Sequence, residues 1–422
     1  MKQLELDCLV IGGGAAGMAA ATEVSSRGYE TALIERDPEL GGVLMQCIHN
    51  GFGLQEFREE LTGPEYAERW IEQLEKEHLP VYTNTTVMEI EREENGNKLC
   101  TAYSPEHGVL RISARAVVLA MGCRERNRGN IMIPGTRPAG VYTAGLAQRL
   151  VNIDGFIPGK EVVIVGSGDI GLIMARRMKW VGSTVHGVVE IQPYPSGLTR
   201  NISQCLNDFD IPLYLNHTVS YIYGRDRVEA VDVTPFVDGI PDESQTFTLP
   251  CDTLLLSVGL VPENELSKQV GIELNQHTGG PLVDSRLMTS EEGIFAAGNV
   301  LHVHDLVDYV SEESRRAGSF VAAYLEGDRP AREIRVKAGA NVRYVNPTRL
   351  DPDSELSAVY LRPLVVANNA ALTLTLDGEV VKRIKKPHVQ PSEMIRQKLD
   401  KKLFDEAELH SDSVLEVSIH DV

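Results

Sequence analysis

The feature that most limits what this chain can fold into is a glycine-rich turn that occurs twice, each time between a short apolar run and a helical stretch. Leu9-Val10-Ile11 leads into Gly12-Gly13-Gly14-Ala15-Ala16-Gly17. An apolar run of this length reads as a buried parallel strand, and the G-x-G-x-x-G that follows stands where a dinucleotide-binding turn needs it. Gly12 permits the tight turn, Gly14 lets backbone approach a pyrophosphate, and Gly17 allows the helix to pack on the strand. Ala15 and Ala16 open a helix whose first amides and positive dipole end suit phosphate. The next strand, Thr31-Ala32-Leu33-Ile34, ends in Glu35, 23 positions past Gly12, where a carboxylate can accept hydrogen bonds from a ribose diol.

The pattern returns in Glu161-Val162-Val163-Ile164-Val165, then Gly166-Ser167-Gly168-Asp169-Ile170-Gly171, an amphipathic helix, and a strand ending in Glu190. Glu190 lies 24 positions past Gly166, nearly the same offset. Two such fingerprints in one chain point to two dinucleotides. A carboxylate at 190 favours a free 2′-hydroxyl over a 2′-phosphate, and Ile191-Gln192-Pro193-Tyr194-Pro195 offers no Arg or Lys to hold one, so NAD is expected rather than NADP.

Composition narrows the field. The 422 residues exceed what one hydrophobic core of roughly 250–300 residues fills, so two or three domains are expected. A net charge of −19 opposes attraction to nucleic acid or anionic membranes. From Ile334 onward 13 Lys/Arg stand against 13 Asp/Glu, so the whole excess lies on the preceding residues and the tail reads as a separate module. Cys8, Cys47, Cys100, Cys123, Cys205 and Cys251 show no C-x-x-C and no metal-type spacing, which argues against a disulfide framework, a zinc site or an iron–sulfur cluster and fits a cytoplasmic protein. The apolar stretch from Cys8 to Ala21 is too short for a span, is broken by glycines and follows acidic residues, so neither membrane insertion nor a signal peptide is expected.

Between the fingerprints, Val81 to Tyr103 and Val109 to Ala116 alternate as a small β-meander, and Ala116 to Gly122 reads as a buried strand ending in a turn. Leu254 to Gly259 repeats that strand-and-turn pattern, and Gly293-Ile294-Phe295-Ala296-Ala297-Gly298-Asn299-Val300 reads as a return strand before a helix from about Leu306 to Leu325. In this order the motifs closely resemble the two-dinucleotide-domain FAD/NAD(P) flavoproteins of the pyridine nucleotide-disulfide oxidoreductase superfamily. The runs Gly41 to Gly53, Gly122 to Arg126, Ile133 to Pro138 and Leu301 to Tyr309 are similar to the branch found beside glycerol-3-phosphate dehydrogenase, related to alpha subunits of opine and dye-linked proline dehydrogenases.

That resemblance implies an α/β fold of two interleaved Rossmann-like domains with parallel sheets and a small β-rich C-terminal domain. Residues 1–121 and 285–330 would form an FAD domain, 122–284 an NAD domain and 331–422 the C-terminal module. It further implies that Arg36, Gly42, Val43, Leu44, Val87, Ala120, Met121, Gly122, Gly298, Asn299 and Asp308 join the first fingerprint around FAD, and Gly259 the second around NAD. Asn299 stands where the family has an aspartate beside the flavin ribitol, so it can hydrogen-bond but carries no charge. The implied activity is that of an FAD-dependent NAD(H) oxidoreductase, an electron-transfer subunit coupled to a partner flavin dehydrogenase such as one for glycerol 3-phosphate, with homo-oligomers open.

Three residues are candidates for chemistry: Cys47, His49 and His304. Disulfide reductases of the superfamily need two cysteines, at positions occupied here by Leu44 and His49, so dithiol chemistry is not expected. Cys47 reads either as a packing cysteine or as a single redox thiol, which would make a peroxide, persulfide or CoA-disulfide reductase. His302 and His304 read as hydrogen-bonding residues or as a proton relay, beside a helix start after Asn299 aimed at the flavin. A non-catalytic assembly protein with structural FAD is the remaining alternative. In the tail, strands are expected at Ala371 to Leu376, Val380-Val381 and Val414 to Ile419, with a helix from about Ser392 to Glu408, and Lys382 to Lys386 reads as a solvated strand face or a docking patch.

Overall fold

A computed structural model describes residues 2–237, 239–330, 332–354, 357–404, 409–410 and 412–421. The chain divides into two units, Met1–Cys123 with Pro262–Val422, and Arg124–Val261.

The first unit is built on a seven-stranded sheet. Strand β1 (Lys2–Ile11) lies at its centre, with β2 (Thr31–Ile34) parallel on one side and Gly108–Leu119 parallel on the other. The meander Thr86–Arg92 and Lys98–Ser104 extends it antiparallel, and the return strand Ile294–Ala296 pairs with the end of Gly108–Leu119. Because side chains alternate along a strand, Cys8 and Val10 enter one core while Leu9 and Ile11 enter the other. Both faces are dry, which is why the run is apolar without a polar break.

Helix α1 (Ala15–Ser26) covers one face, and its alanines leave room for the Val307–Leu325 helix. A Cβ on Gly318 would lie 2.7 Å from the Glu23 side chain and 2.8 Å from the Ala20 carbonyl, so this crossing tolerates only glycine without a shift. The close approach holds the long helix, and with it the end of the return strand, against the start of α1.

The β-rich tail belongs to the first unit. Sheets of five and three strands enclose one core, in which Ile334, Val336, Leu361, Leu372, Leu374, Val417 and Ile419 are all buried. The helix expected from Ser392 is not formed. Residues Ile395–Leu399 are a strand, antiparallel to Ser357–Pro363, and Lys401–Leu403 make one 3-10 turn, while 405–408 lie outside the described residues. Arg, Gln, Lys and Leu are good helix formers, but pairing beside buried Val359 and Leu361 overrides that weak local preference. The basic run Lys382 to Lys386 lies within Glu379–Val389, the edge strand of the five-stranded sheet, where lysines discourage further strand pairing.

The second unit repeats the parallel plan with five strands in the order Val141–Thr143, Thr253–Leu256, Glu161–Val165, Thr184–Glu190, Leu213–Leu215. Val162 and Ile164 face the core under the Asp169–Trp180 helix, and Val163 faces an antiparallel meander formed by His217–Gly224, Val228–Val237 and Phe247–Pro250.

Candidate functional site

In the first unit, Gly12 adopts φ +110°, and a Cβ there would lie 2.4 Å from the Ala120 carbonyl oxygen. A Cβ on Gly17 would lie 1.7 Å from the Gly12 carbonyl oxygen. Both positions are closed by backbone. Gly14 is different, since its Cβ would meet nothing within 4 Å. It is the N-cap of α1, no side chain caps the helix, and no acidic residue stands in its first turn. The first amides of Ala15, Ala16 and Gly17 thus face an open cradle at the positive end of a helix, which fits a phosphate group.

Other segments converge on this cradle. The Gly41 amide bonds the Gly13 carbonyl at 2.9 Å, and a Gly42 Cβ would lie 3.5 Å from the Gly14 Cα, which brings Gly42, Val43 and Leu44 to one side. Val43 is 62% exposed and Leu44 is buried. Gly298, at φ +75°, approaches Ala16 so closely that its Cβ would lie 2.7 Å from the alanine methyl. Ala120 and Met121 back the Gly12 turn, and Gly122 follows at φ +71°. Arg36 is exposed at the end of β2, and Val87 is core, two residues past Thr85, whose amide bonds the Glu35 carbonyl.

Glu35 is engaged within the protein itself. It is buried, and its Oε2 accepts the Gly13 amide at 2.6 Å while Oε1 accepts the Asp37 amide at 2.8 Å. The carboxylate therefore braces the glycine turn from within and keeps lone pairs for a ligand hydroxyl.

The second unit reproduces this arrangement. Gly166 adopts φ +94° with its Cβ 2.0 Å from the Ser257 carbonyl, and a Gly171 Cβ would lie 2.5 Å from the Gly166 carbonyl. Gly168 again faces nearly open space, with Ser257 Oγ at 3.8 Å. Glu190 accepts the Ser167 amide on Oε2 at 2.9 Å and the Gln192 amide on Oε1 at 2.9 Å, which correspond to the Gly13 and Asp37 amides on Glu35. Ser167 Oγ and Ser196 Oγ add further bonds to Oε2. Asp169, in the first turn of its helix, is turned to the Leu198 amide and the Asn201 side chain, while Ile170 follows it and Gly259 forms a turn at φ +100°.

The three candidates for chemistry have separate surroundings. Cys47 is buried beneath the Gly63–Lys76 helix, whose Gly63 amide bonds the Cys47 carbonyl at 2.8 Å. Burial pushes its thiol up to about 12, so it stays protonated at neutral pH. His49 is half-buried, with Nδ1 3.1 Å from the Asn50 carbonyl and its ring 5.0 Å from that of Phe52. His304 is buried in a group that sequence reasoning missed. His302 Nε2 lies 2.8 Å from Glu313 Oε2, and His304 Nε2 lies 3.1 Å from Oε1, with all three side chains fully buried.

Glu313 Oε1 also accepts the Gly298 amide at 2.8 Å, so the clasp holds the glycine that meets Ala16. Asn299 completes the same turn, accepting the His304 amide at 3.0 Å and offering its amide nitrogen to Cys123 Sγ at 3.6 Å. The turn after Asn299 is a single 3-10 turn, Gly298–Val300, and the long helix begins only at Val307. Asp308, in that helix's first turn, accepts the Glu56 amide at 3.1 Å and so fastens the loop after Gly53. From the tail, Arg362 bonds the Val303 carbonyl at 3.2 Å and Asp305 at 2.8 Å, and the Tyr360 ring lies 5.3 Å from that of His302.

Protonation states can be read from these contacts. Burial drives Glu313 upward, but the two imidazoles outweigh it and the net shift is down. Burial drives His302 down, and attraction to Glu313 does not reverse this. Glu313 is thus held toward its carboxylate form, with Nε2 of both imidazoles on its oxygens. The three ligand atoms lie within 4.8 Å of one another, the composition of a metal site. A metal-bound imidazole as a rule donates its other N–H to a partner, and among the described residues neither Nδ1 has one, so the geometry supports a hydrogen-bonded clasp.

The profile of the pyridine nucleotide-disulphide oxidoreductase family matches residues 6–327. The chain belongs to this family. Its fold and its FAD and NAD(P)H cofactors are therefore those of a flavin-dependent oxidoreductase, and both cradles fit them. Among curated relatives, hydrogen cyanide synthase subunit HcnB of Pseudomonas protegens is 28% identical, over 70% of this chain and 66% of that protein. An opine oxidase subunit of Agrobacterium tumefaciens is 26% identical, over 69% and 61%. The chain thus spans under two thirds of the length of these relatives. The crystal structure of T. acidophilum thioredoxin reductase aligns with a TM-score of 0.63 at 21% identity, covering 76% of this chain and 98% of that one, which shows the shared fold. Its six cysteines form no disulfide among the described residues, and Leu44 and His49 are not thiols.

Two outcomes are expected. Gly14→Ala should fold but lose FAD affinity at least about tenfold, about 1.4 kcal/mol, because the methyl enters the cradle; Gly17→Ala, with its Cβ 1.7 Å from a carbonyl, should lose soluble protein altogether. Flavin absorbance of the purified variants decides this, and equal flavin content in both would refute it. The second concerns acid. His302 is held below its ordinary 6.5 and Glu313 below 4.5, so the stability each contributes is full above that ordinary value and is lost as pH falls beneath it. Thermal melts should therefore weaken on acidification below about pH 6.5, and His302→Gln should flatten that slope by up to about 1.4 kcal/mol per pH unit. An unchanged slope would show that the clasp does not titrate this way.

Proposed function

We propose that this protein is an electron-transfer subunit that holds FAD in the first unit and NAD(H) in the second and passes hydride equivalents between them. The observation that carries this reading is the repetition of one cradle in both units, each with an open second glycine and a carboxylate bracing the turn through the same two amides. Bound there, the flavin and nicotinamide rings supply the hydride chemistry, and the chain's part is to bind, orient and exclude water. The Gly298 amide, Asn299 and the buried clasp behind them would set the polarity at the flavin end. Glu190, with no Arg or Lys at 191–195, supports NAD over NADP.

A partner flavin dehydrogenase, such as one for glycerol 3-phosphate, would deliver or receive the electrons. Two of the similar proteins are themselves subunits, which supports a multi-component assembly. No described helix is long and apolar enough to cross a membrane. The single-thiol alternative is disfavoured by the burial of Cys47 and its raised pKa. Residues 1–121 and 285–330 would form the FAD domain, and 122–284 the NAD domain.

The purified protein should be yellow, and NADH without oxygen should bleach its visible flavin absorption, with kcat/KM at least about tenfold above that for NADPH. Flavin that stays oxidised under NADH would defeat the proposal. Cys47→Ser should retain NADH-dependent dye reduction within about twofold, whereas loss of turnover with flavin still bound would install the thiol as the reacting group.

A further inference from the structure

Two long strands of the first unit stand at sheet edges and carry opposite charge. Thr86–Arg92 ends the seven-stranded sheet, and Glu379–Val389, which holds the basic run, ends the five-stranded sheet of the tail. Each pairs with one neighbour, Lys98–Ser104 and Ala367–Leu376 respectively. Among the described residues no backbone bond joins the other side of either strand to any segment. An open edge of this kind is a template for a strand of another chain.

The side chains along the two edges are complementary. Ile90 is buried in one core and Ile384 packs against another, so Glu89 and Glu91 share the outer face of the first strand, and Arg383 and Lys385 that of the second. All four charged side chains are exposed, and none forms a hydrogen bond or ion pair among the described residues. The ladders are regular around them, because the register shifts fall between Val87 and Glu89 in one and between Leu374 and Thr375, beyond Lys382, in the other. With Ile90 set opposite Ile384, Arg383 and Lys385 meet Glu89 and Glu91 whichever way the two strands run. A slip of one residue would set charge against isoleucine, so the pattern also specifies the register.

Like strands do not fit. Two copies of the basic edge, or two of the acidic one, would bring like charges face to face, which is destabilising. Each edge therefore rejects its own kind and accepts the other. Within one chain the two strands lie in separate sheets and do not pair, which leaves the contact to a second copy.

We propose that Glu379–Val389 of one copy pairs with Thr86–Arg92 of another, making one continuous sheet across two chains. The surfaces joined are different, so every copy offers one basic and one acidic edge. The pairing asks nothing of the glycine turns, so it and the NADH bleaching experiment fail separately.

The test uses full-length, FAD-loaded protein in analytical sedimentation over a concentration series. Self-association of the wild type is expected. Arg383→Glu with Lys385→Glu leaves a chain with two acidic edges, and Glu89→Lys with Glu91→Lys one with two basic edges; each should lose at least about tenfold in association constant. An equimolar mixture of the two variants should associate again, because each supplies the edge the other lacks. The substituted side chains are exposed and unbonded, so both variants should keep the flavin spectrum and the melting temperature. Amide hydrogen exchange in the two strands should slow as the wild type associates, since pairing covers their open sides. A wild type that stays monomeric, variants that associate as the wild type does, or a mixture that stays apart overturns the pairing. Association without added protection of these two strands overturns it as well.

Discussion

The interaction on which the rest of this structure depends is the hydrogen bond from the second residue of each glycine turn to a carboxylate at the end of the next strand. Gly13 to Glu35 and Ser167 to Glu190 are buried bonds between an amide and an anion, a class of hydrogen bond about twice as strong as a neutral one. Each joins two neighbouring parallel strands at their carboxyl ends, beside the N-terminus of the helix between them. With the turn pinned there, the open second glycine presents helix amides to a ligand rather than to its own chain. The same carboxylate would then have two tasks under the proposed function, bracing the turn and facing a ribose. For Glu190 the serine hydroxyls have already taken a large share of its acceptor capacity.

Behind the first cradle, a second buried anion extends the same logic. Glu313 reaches from the long helix to the Gly298 amide and is held by two histidines that lie only a few residues beyond that glycine. A fully buried carboxylate is tolerable only where its oxygens are occupied, and here three donors occupy them. The β-rich tail closes the arrangement: Arg362 grips the loop between the histidines and the helix, and Tyr360 packs on both imidazoles. The tail therefore contributes to the nucleotide-binding body by fixing a loop that begins at the cradle floor.

Much of this was legible in the residues. Strand, turn, helix and acidic strand end each carry a local signature, because their conformations are dictated within about thirty residues, and in both units the elements stand where those signatures put them. The clasp was not legible. His302 and His304 were visible as candidates, but Glu312 and Glu313 are adjacent in sequence, and only the packing of the helix decides that Glu313 turns inward while Glu312 meets Arg396. The tail misled for a related reason. Residues 395–399 include helix-forming side chains, and the distant partner strand Ser357–Pro363 makes them extended.

The absence of thiols where a disulfide reductase needs them follows from the same local geometry. The Gly42–Gln46 3-10 turn buries Leu44, and Cys47 ends it against Gly63, where a Cβ would already lie 2.8 Å from that of the cysteine. The thiol there packs against Gly63, and burial, which raises its pKa, disfavours the thiolate. An attacking sulfur needs the reverse, an electropositive and reachable position. The turn that in a disulfide reductase would carry the first of the two thiols, at Leu44, here brings Gly42 against Gly14. Redox chemistry in such a chain falls to the cofactors, and the protein's selectivity to the polar groups that surround them.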